Sequence, residues 1–332
     1  MSQLPQPVRI QELQEASREW FALLAGMQLD LFTPLADGPM RAQELATALA
    51  VDAEKLSLLL YALVVAGLLT VEDGRFANTE EAARFLVRGK PTYMGSAHTL
   101  WSEFGYAGLK TAASVRTGIP QAQHNYGAMS EDELLVTLGG LHAGALSKGR
   151  ALAARYDFGS CRTVLDAAGG TGGLSIGLVE TWPNLRATIA DLPGVVPIAQ
   201  RSLAAAGMRE RIDTIAVDLL REAVPGQFDA AVVLYLTQVL SARDAQTALR
   251  NIWRSLRPGG TIYLLNWVLE ESRLTPARAA RMNVLFLSFY DGGQAYTEGE
   301  YRAWLTAAGF EAITREEEID GNALIRARKA GQ

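Results

Sequence analysis

The sequence predicts an α/β protein in which a doubly wound parallel sheet follows a winged-helix region. Three observations support this fold class. Five apolar, strand-like stretches are each followed by a helical pattern, and they begin at Val164, Arg186, Ile212, Phe228 and Pro258. Repeated β-α units of this kind build parallel sheets. The first stretch breaks into glycines, and two helical patterns with a hairpin precede the whole series.

Composition narrows the possible functions before any motif is considered. The chain has 332 residues, enough for two domains, and its 31 basic and 36 acidic residues give a net charge of −5. The charges are interspersed, which argues against nucleic acid as a partner. A single cysteine, Cys161, and an N-terminus without a signal pattern indicate a cytoplasmic location. No apolar run approaches the ~20 residues that span a membrane, and three histidines with one cysteine show no zinc-ligand spacing, so we expect neither a membrane nor a metal.

The N-terminal region is expected to form a winged helix. Helical patterns over Ala42–Leu49 and Glu54–Ala66 precede two short strands around Asp73-Gly74, a pair that supplies the positive φ angles of a tight hairpin turn. In a DNA-binding winged helix the second helix presents polar side chains to the bases. Here that helix is apolar on nearly every side from Leu56 to Val65. The sequence therefore favours an internal or subunit interface over DNA binding.

A helical segment leads from this region to the sheet. It carries His98, Trp101 and further aromatic residues interleaved with polar ones, and Arg116–Pro120 marks a break between helices. Such a mixture of side chains can line a substrate pocket. Core packing is the alternative interpretation for each single aromatic residue.

The stretch Val164–Gly173 has the pattern of a strand, a tight loop and a helix N-terminus. Glycines let the backbone approach a ligand closely, and the N-terminus of the following helix then faces that ligand. A dinucleotide-binding loop has the spacing G-x-G-x-x-G, but a start at Gly170 puts Ser175 at the last position. This departure weakens the pyrophosphate interpretation. Asp166, ahead of the glycines, fits a nucleotide-type cofactor that has no phosphate.

Acidic residues also end the next two predicted strands. Asp191 lies about 20 residues beyond the loop, where a carboxylate can accept both hydroxyls of a ribose. Asp218 and Leu219 end the third strand, where they could hydrogen-bond an adenine amino group and cover its face. Either acid alone could be a surface loop residue. Their joint placement around one glycine loop predicts a site for a nucleotide-type cofactor.

With these motifs the chain resembles the small-molecule O-methyltransferases that depend on S-adenosylmethionine (SAM), a family with plant caffeate and flavonoid enzymes and bacterial antibiotic-pathway enzymes. The resemblance covers nearly the whole chain, and it rests on the winged-helix region and on Val115–Gly118, Asp166–Gly173, Asp191–Pro193, Asp218-Leu219, Arg257–Gly260, Tyr296-Thr297 and Ala308–Phe310. It implies the α/β fold of class I SAM methyltransferases, a Rossmann-like doubly wound sheet, with an N-terminal all-helical winged-helix dimerisation domain.

The resemblance also implies a domain division and a set of cofactor contacts. The dimerisation domain would cover residues 1–95, helices that line the substrate pocket 96–155, and the SAM-binding domain 156–330. The partner helices of a homodimer would help close each active site. The methionine part of SAM would contact Asp166, Gly169, Gly170 and Gly172, the ribose Asp191 and Leu192, and the adenine Asp218 and Leu219.

The catalytic positions depart from the family pattern. The family carries His-Asp-Trp after the fourth strand, with the histidine as general base, and this chain has Gln238-Val239-Leu240 there. Glutamine cannot take a proton. The two glutamates that orient the histidine in the plant enzymes fall on Asn266 and Ala295. We expect Asn266 to line the substrate pocket, together with Asn283.

His142 is the candidate to replace the missing base. It falls where the family places a methionine beside the reacting methyl group, and an imidazole can accept a proton at neutral pH. The alternative is that His142 packs against a helix and hydrogen-bonds a backbone carbonyl. Tyr235 is a second candidate, for orienting a substrate, and Gln238 itself stands at the catalytic position.

The sequence therefore predicts a SAM-dependent methyltransferase of a small molecule, a secondary metabolite, with O-methylation as the family expectation. An acidic phenol, a carbon or a nitrogen acceptor would depend less on a general base. Two alternatives remain open: a family member that binds SAM without methylating, and a winged-helix regulator that senses SAM.

Overall fold

The computed structural model of the chain describes residues 6–90, 92–319 and 322–331. The chain divides into two compact units, Met1–Ser102 and Glu103–Gln332. The finer division into three segments at residues 95 and 155 stays a prediction. Among the described residues no helix is both long and apolar enough to cross a membrane. The cytoplasmic location also stays a prediction.

The first unit is helical and also carries a small sheet. Its helices and strands are α1 (Val8–Gln28), β1 (Met40–Arg41), α2 (Ala42–Leu49), α3 (Ala53–Val65), β2 (Leu69–Glu72), β3 (Arg75–Asn78) and α4 (Glu80–Phe85). The sheet has the order β1-β3-β2. Glu72 pairs with Arg75, so Asp73 and Gly74 form a two-residue turn, with φ angles of 48° and 72°. The predicted hairpin is confirmed.

The second unit contains the main sheet. α5 (His98–Thr117) crosses the boundary between the units, and the elements after it are α6 (Glu131–Arg155), β4 (Thr163–Ala167), α7 (Gly173–Thr181), β5 (Arg186–Asp191), α8 (Val196–Ala205), β6 (Ile212–Ala216), β7 (Phe228–Leu234), α9 (Ala242–Ser255), β8 (Leu256–Asn266), β9 (Val268–Leu269), α10 (Ala277–Phe289), β10 (Tyr296–Thr297), α11 (Glu298–Ala308), β11 (Phe310–Ile319) and β12 (Asn322–Lys329). The seven-stranded sheet has the order β11-β12-β8-β7-β4-β5-β6.

Five strands of this sheet are parallel, as the β-α repeats predict, and β12 and β11 extend it in antiparallel pairing. The ends predicted for the second and fourth strands agree with β5 and β7. The third strand ends at Ala216, so Asp218 lies in the loop two residues beyond it. Apolar cores cover both faces of the sheet. Val164 belongs to one core and Leu165 to the other, as expected for a parallel strand buried on both sides.

Close packing of α6 on α7 depends on glycines in both helices. A Cβ atom at Gly177 would lie 2.6 Å from the backbone nitrogen of Arg150, and one at Gly173 would lie 2.8 Å from the carbonyl oxygen of His142. A Cβ atom at Gly149 would overlap the carbonyl oxygen of Leu174. These distances are shorter than normal contacts, so each position requires the absence of a side chain.

We therefore predict that Gly149→Ala destabilises the fold by about 1–3 kcal/mol, because the added methyl group overfills the contact between two helices. Gly144→Ala is the matched control on the same helix. A Cβ at Gly144 meets nothing within 4 Å, and alanine favours a helix over glycine by up to about 1 kcal/mol. Urea unfolding of both variants measures the difference. Equal stability of the two would contradict the close packing of α6 on α7.

Candidate active site

The glycine loop joins β4 to α7 in a conformation that larger residues would not fit. Gly172 caps α7 with a φ angle of 77°, in the left-handed region that favours glycine. A Cβ at Gly169 would lie 2.7 Å from the Cγ atom of Asp166. The loop therefore folds tightly over the carboxyl end of β4, where ligands bind in open α/β sheets.

Asp166 is fully buried beneath this loop. Its Oδ2 atom accepts a hydrogen bond of 2.7 Å from the Ser175 hydroxyl, and its Oδ1 atom has no hydrogen-bond partner among the described residues. Burial raises the pKa of Asp166 to about 7, and the Ser175 hydrogen bond opposes this shift. Ser175 thus has a structural role at the position where a dinucleotide-binding loop has glycine.

Asp191 ends β5 beside the same loop. Its two carboxylate oxygens accept hydrogen bonds of 2.8 Å from the backbone N–H groups of Gly170 and Leu192. Burial raises the pKa of Asp191 to about 6, although both backbone bonds favour the ionised form. Asp191 and Asp166 therefore form a pair of carboxyl groups that would gain from a positively charged ligand.

Asp218 and Leu219 lie beyond β6 at the next strand end. The Oδ1 atom of Asp218 accepts a hydrogen bond of 2.9 Å from the backbone N–H of Leu220. Leu219 is buried, and its carbonyl oxygen accepts a hydrogen bond of 2.8 Å from the side chain of Asn251. Both residues are held by their neighbours, with an acid and an apolar side chain next to each other.

These residues line one cavity of about 510 Å³, a size typical of small-molecule sites. It brings together all the predicted cofactor residues except Gly172, namely Asp166, Gly169, Gly170, Asp191, Leu192, Asp218 and Leu219. The unpartnered oxygen of Asp166 fits a ligand with a cationic group. The described part of the chain contains no cluster of side chains that could hold a metal ion.

The predicted catalytic residues are not brought together in the cavity wall. Leu236, Val239 and Leu240 line it, whereas Gln238 is buried and is not among the described wall residues. The Oε1 atom of Gln238 has no hydrogen-bond partner among the described residues. The Nδ1 atom of His142 lies 2.8 Å from the Thr171 hydroxyl.

Thr171 lines the cavity, but the His142 ring is not among its described wall residues. Burial lowers the pKa of His142. Its role as a base, and that of Gln238, stay predictions.

Tyr235 does line the cavity, directly after β7. It has a φ angle of 62°, a strained conformation for a residue with a large side chain. Its ring stacks on Trp267 at a centroid distance of 6.2 Å, and its hydroxyl donates a hydrogen bond of 2.6 Å to Asn322 Oδ1. These contacts fix the ring at the cavity, as an orienting residue requires, and that role stays a prediction.

The predicted substrate-pocket residues lie in several places. His98 and Trp101 belong to the first unit, where Trp101 packs against the hydrophobic core. Asn266 is fully buried at the end of β8, and neither side-chain amide atom has a hydrogen-bond partner within the described ranges. Asn283 accepts a hydrogen bond of 2.6 Å from the backbone N–H of Ala295 and lines a smaller cavity of about 380 Å³. Their contact with a substrate stays a prediction.

An aromatic group that the sequence did not reveal forms another part of the wall of the larger cavity. The His124 ring lies 4.1 Å from the Phe289 ring, centroid to centroid, and the Tyr126 and Tyr290 hydroxyl oxygens are 3.3 Å apart. The sequence shows His124 and Tyr126 only as members of an aromatic-rich segment. Nothing in its pattern connects them with the end of α10, so the contact with Phe289 and Tyr290 could not be predicted.

Comparisons with known proteins identify the family of the chain. A family model described as the O-methyltransferase domain matches residues 112–311, and the O-methyltransferase dimerisation domain matches residues 11–88. The chain is 32% identical over 302 residues to 3-hydroxy-5-methyl-1-naphthoate 3-O-methyltransferase of Streptomyces sahachiroi, covering 88% of this chain and 86% of that relative. The chain belongs to the O-methyltransferase family.

Further comparisons support the same family and fold. The tetracenomycin polyketide synthesis 8-O-methyl transferase of Streptomyces glaucescens is 28% identical, with 88% of each chain covered. The crystal structure of human N-acetylserotonin methyltransferase in complex with SAM has the same fold, with a TM-score of 0.86, 24% identity and 99% of each chain covered. The protein is a SAM-dependent O-methyltransferase of the secondary-metabolite type, and the predicted family, fold class and cofactor are confirmed.

The predicted contacts of the buried acids with SAM would make its affinity depend on pH. Burial raises the pKa values of Asp166 and Asp191, so both should be protonated at about pH 5 and should lose their protons if a cation binds beside them. We expect SAM to bind at least about 10-fold more weakly at pH 5 than at pH 7, with protons released on binding. Calorimetric titration in buffers of different ionisation enthalpy measures both quantities. An affinity independent of pH over this range would be inconsistent with the predicted contact.

Asp191→Asn tests the predicted ribose contact separately. Loss of a charged acceptor should weaken SAM binding by about 1.5–3 kcal/mol, because hydrogen bonds to charged groups contribute that much. Asp213→Asn, at an exposed position of the adjacent strand β6, is the matched control and should bind SAM like the wild type. Equal SAM affinities of the two variants, measured by calorimetry, would exclude Asp191 as an anchor.

Proposed function

We propose that this enzyme transfers the methyl group of SAM to the hydroxyl group of a flat aromatic molecule that carries no negative charge. The wall of the larger cavity supports this acceptor. Aromatic rings of His124, Tyr126, Phe289 and Tyr290 offer flat apolar surfaces, and stacking of rings contributes beyond simple burial. The described wall contains five aspartates and no lysine or arginine, so an anionic acceptor would be repelled.

The relatives give independent support for an aromatic hydroxyl. The relative from Streptomyces sahachiroi is named as a 3-O-methyltransferase of a hydroxynaphthoate, and the one from Streptomyces glaucescens acts in tetracenomycin polyketide synthesis. SAM supplies a methyl group on a positively charged sulfur, and transfer requires an acceptor atom held about 3 Å from that group. The residues of this chain would then orient the acceptor ring, exclude water and receive its proton.

The proposed acceptor class predicts a clear preference in an assay. With methyl-labelled SAM, 2-naphthol and other uncharged phenols should gain label at the hydroxyl oxygen. A naphthoic acid without a hydroxyl should gain none, and a hydroxynaphthoate should react more slowly because its carboxylate faces the aspartates. Mass spectrometry of the products locates the label. Transfer to carbon or nitrogen in a broader panel, with no transfer to phenols, would contradict the proposal.

We also propose that two chains associate through the first unit. The family dimerisation domain spans most of that unit. In the single chain α3 exposes three large apolar side chains, Leu58, Tyr61 and Val65, and α1 exposes others, at Ile10, Leu13 and Phe21. Exposed apolar surface of this extent marks an interaction site. The partner helices would help close each active site, as the resemblance implies.

Val65→Glu should therefore weaken the dimer, because a charge would be placed on the apolar face of α3. Val71→Glu, the same change at an exposed position of β2 in the same unit, serves as control. Light scattering of both full-length variants at micromolar concentration measures the molar mass. A monomeric wild-type protein, or a dimer that survives Val65→Glu, would count against an interface on α3.

A further inference from the structure

We propose that His124, paired with Glu103, is the general base that accepts the proton of the acceptor hydroxyl. This inference rests on the proposed function. It assigns the task of the missing histidine to a different part of the chain, the loop between α5 and α6.

The backbone of this loop is attached to the end of α10. Ala122 N–H donates a hydrogen bond of 2.9 Å to the Ser288 carbonyl oxygen, and His124 N–H donates one of 2.9 Å to the Phe289 carbonyl oxygen. The His124 ring packs on the Phe289 ring at 4.1 Å with an interplanar angle of 30°. The imidazole is therefore held at the cavity wall by both backbone and ring contacts.

Glu103 on α5 lies behind the imidazole. Its Oε2 atom is 3.7 Å from His124 Nε2, and its Oε1 atom accepts a hydrogen bond of 3.4 Å from the Thr137 hydroxyl. That buried Oε2 has no hydrogen-bond partner among the described residues, so its contact with His124 is an ion-pair contact and not a hydrogen bond. A carboxyl group beside one ring nitrogen orients an imidazole and stabilises its protonated form, which leaves the other nitrogen for a bound molecule.

The other groups of the described cavity wall are poor proton acceptors for an aromatic hydroxyl. Burial is the main cause that raises the pKa values of Tyr126 and Tyr290, so both phenols stay protonated. Asp291 accepts a hydrogen bond of 2.8 Å from Gln123, and Asp244 accepts one of 2.7 Å from the Ser241 hydroxyl at the start of α9. Asp166, Asp191 and Asp218 are the predicted cofactor residues. His124 is the one imidazole among the described wall residues.

The location of Tyr126 connects this group with the cofactor end of the cavity. Burial is the largest cause of the raised pKa of Tyr126, and the negative charges of Glu103 and Asp191 raise this pKa further. The Tyr126 ring therefore lies within electrostatic reach of both acids. An acceptor in the cavity can thus lie near His124 while the cofactor lies near Asp191. The two ends of the cavity would supply the base and the methyl donor.

Methyl transfer to the hydroxyl releases one proton and therefore needs one proton acceptor. As the acceptor oxygen forms its bond to the methyl carbon and the carbon–sulfur bond breaks, the hydroxyl proton passes to the imidazole of His124. The products are an aryl methyl ether, S-adenosylhomocysteine and an imidazolium, which then loses its proton to solvent. A positioned base contributes about 10²–10⁴-fold to such a step.

The sign of the pH dependence follows from the groups that face the ring. These are Glu103 from α5, Tyr126 from the same loop, and Phe289 and Tyr290 from the end of α10. Burial lowers the pKa of His124, so the ring is neutral and able to accept a proton at neutral pH. Activity should fall as the pH drops through this pKa. Removal of the Glu103 charge destabilises the imidazolium and should move this acidic limb of the pH–rate profile to lower pH.

Two substitutions separate proton transfer from packing. His124→Phe keeps a ring on Phe289 but cannot accept a proton, and His124→Gln keeps polarity without a base. With a weakly acidic phenol, both should lower kcat/KM by at least about 10²-fold, because the base is lost. A nitrophenol of similar shape that is already ionised at the assay pH should react more slowly with every form of the enzyme, because its charge faces the aspartates. The loss in the variants relative to the wild type should nevertheless stay below about 5-fold, because no base is needed. Glu103→Gln should shift the acidic limb of the pH–rate profile to lower pH.

A binding experiment supplies a readout apart from activity. In the protein saturated with S-adenosylhomocysteine, addition of a phenol should shift the imidazole resonances of His124, assigned by their absence in His124→Gln. SAM affinity should be equal in the wild type and in both His124 variants.

Three outcomes would overturn the assignment. The His124 variants could lose the same activity with both phenols, or His124→Phe could keep the activity of the wild type. His142→Gln, and not His124→Phe, could lose activity with the weakly acidic phenol alone. A wild-type enzyme that binds SAM but methylates no phenol would instead contradict the proposed function, and with it this role of His124.

Discussion

The close contact between α6 and α7 is the constraint on which the site depends. Without side chains at Gly173 and Gly177, the backbone of α7 lies directly against α6, and this contact fixes the point where the glycine loop enters the helix. The same helix α6 supplies Leu138, Leu141 and Ala145 to the cavity wall. A change in the packing of these helices would therefore move the loop and the wall together.

The loop buries two carboxyl groups at the end of the sheet, and this burial predicts a preference for a cationic ligand. Asp166 and Asp191 both have raised pKa values because water is excluded from them. A carboxylate in such a place is costly until an opposite charge arrives. If these acids hold the cofactor, as predicted, the proton acceptor for the substrate has to come from another part of the cavity wall. His124 is the acceptor that we propose there.

The sequence predicted the parts of the site that depend on local pattern. Asp191 could be placed because a strand that is buried on both faces has a recognisable apolar run and a defined end. The orientation of Gln238 could not be predicted, since the short helix Thr237–Val239 turns its side chains according to tertiary packing. His124 was missed for a related reason. The proposed role of His124 depends on its contacts with Glu103 and with the end of α10. Contacts between distant segments leave no periodic signal in one sequence.

We propose that the base lies on the loop before α6 and not at the end of β7. A crystal structure with S-adenosylhomocysteine and 2-naphthol would give the distance from the naphthol oxygen to the nearest ring nitrogen of His124. We expect a hydrogen-bond distance of about 3 Å, with Glu103 on the far side of the ring. A naphthol oxygen that contacts Gln238 or His142, with His124 out of reach, would contradict it.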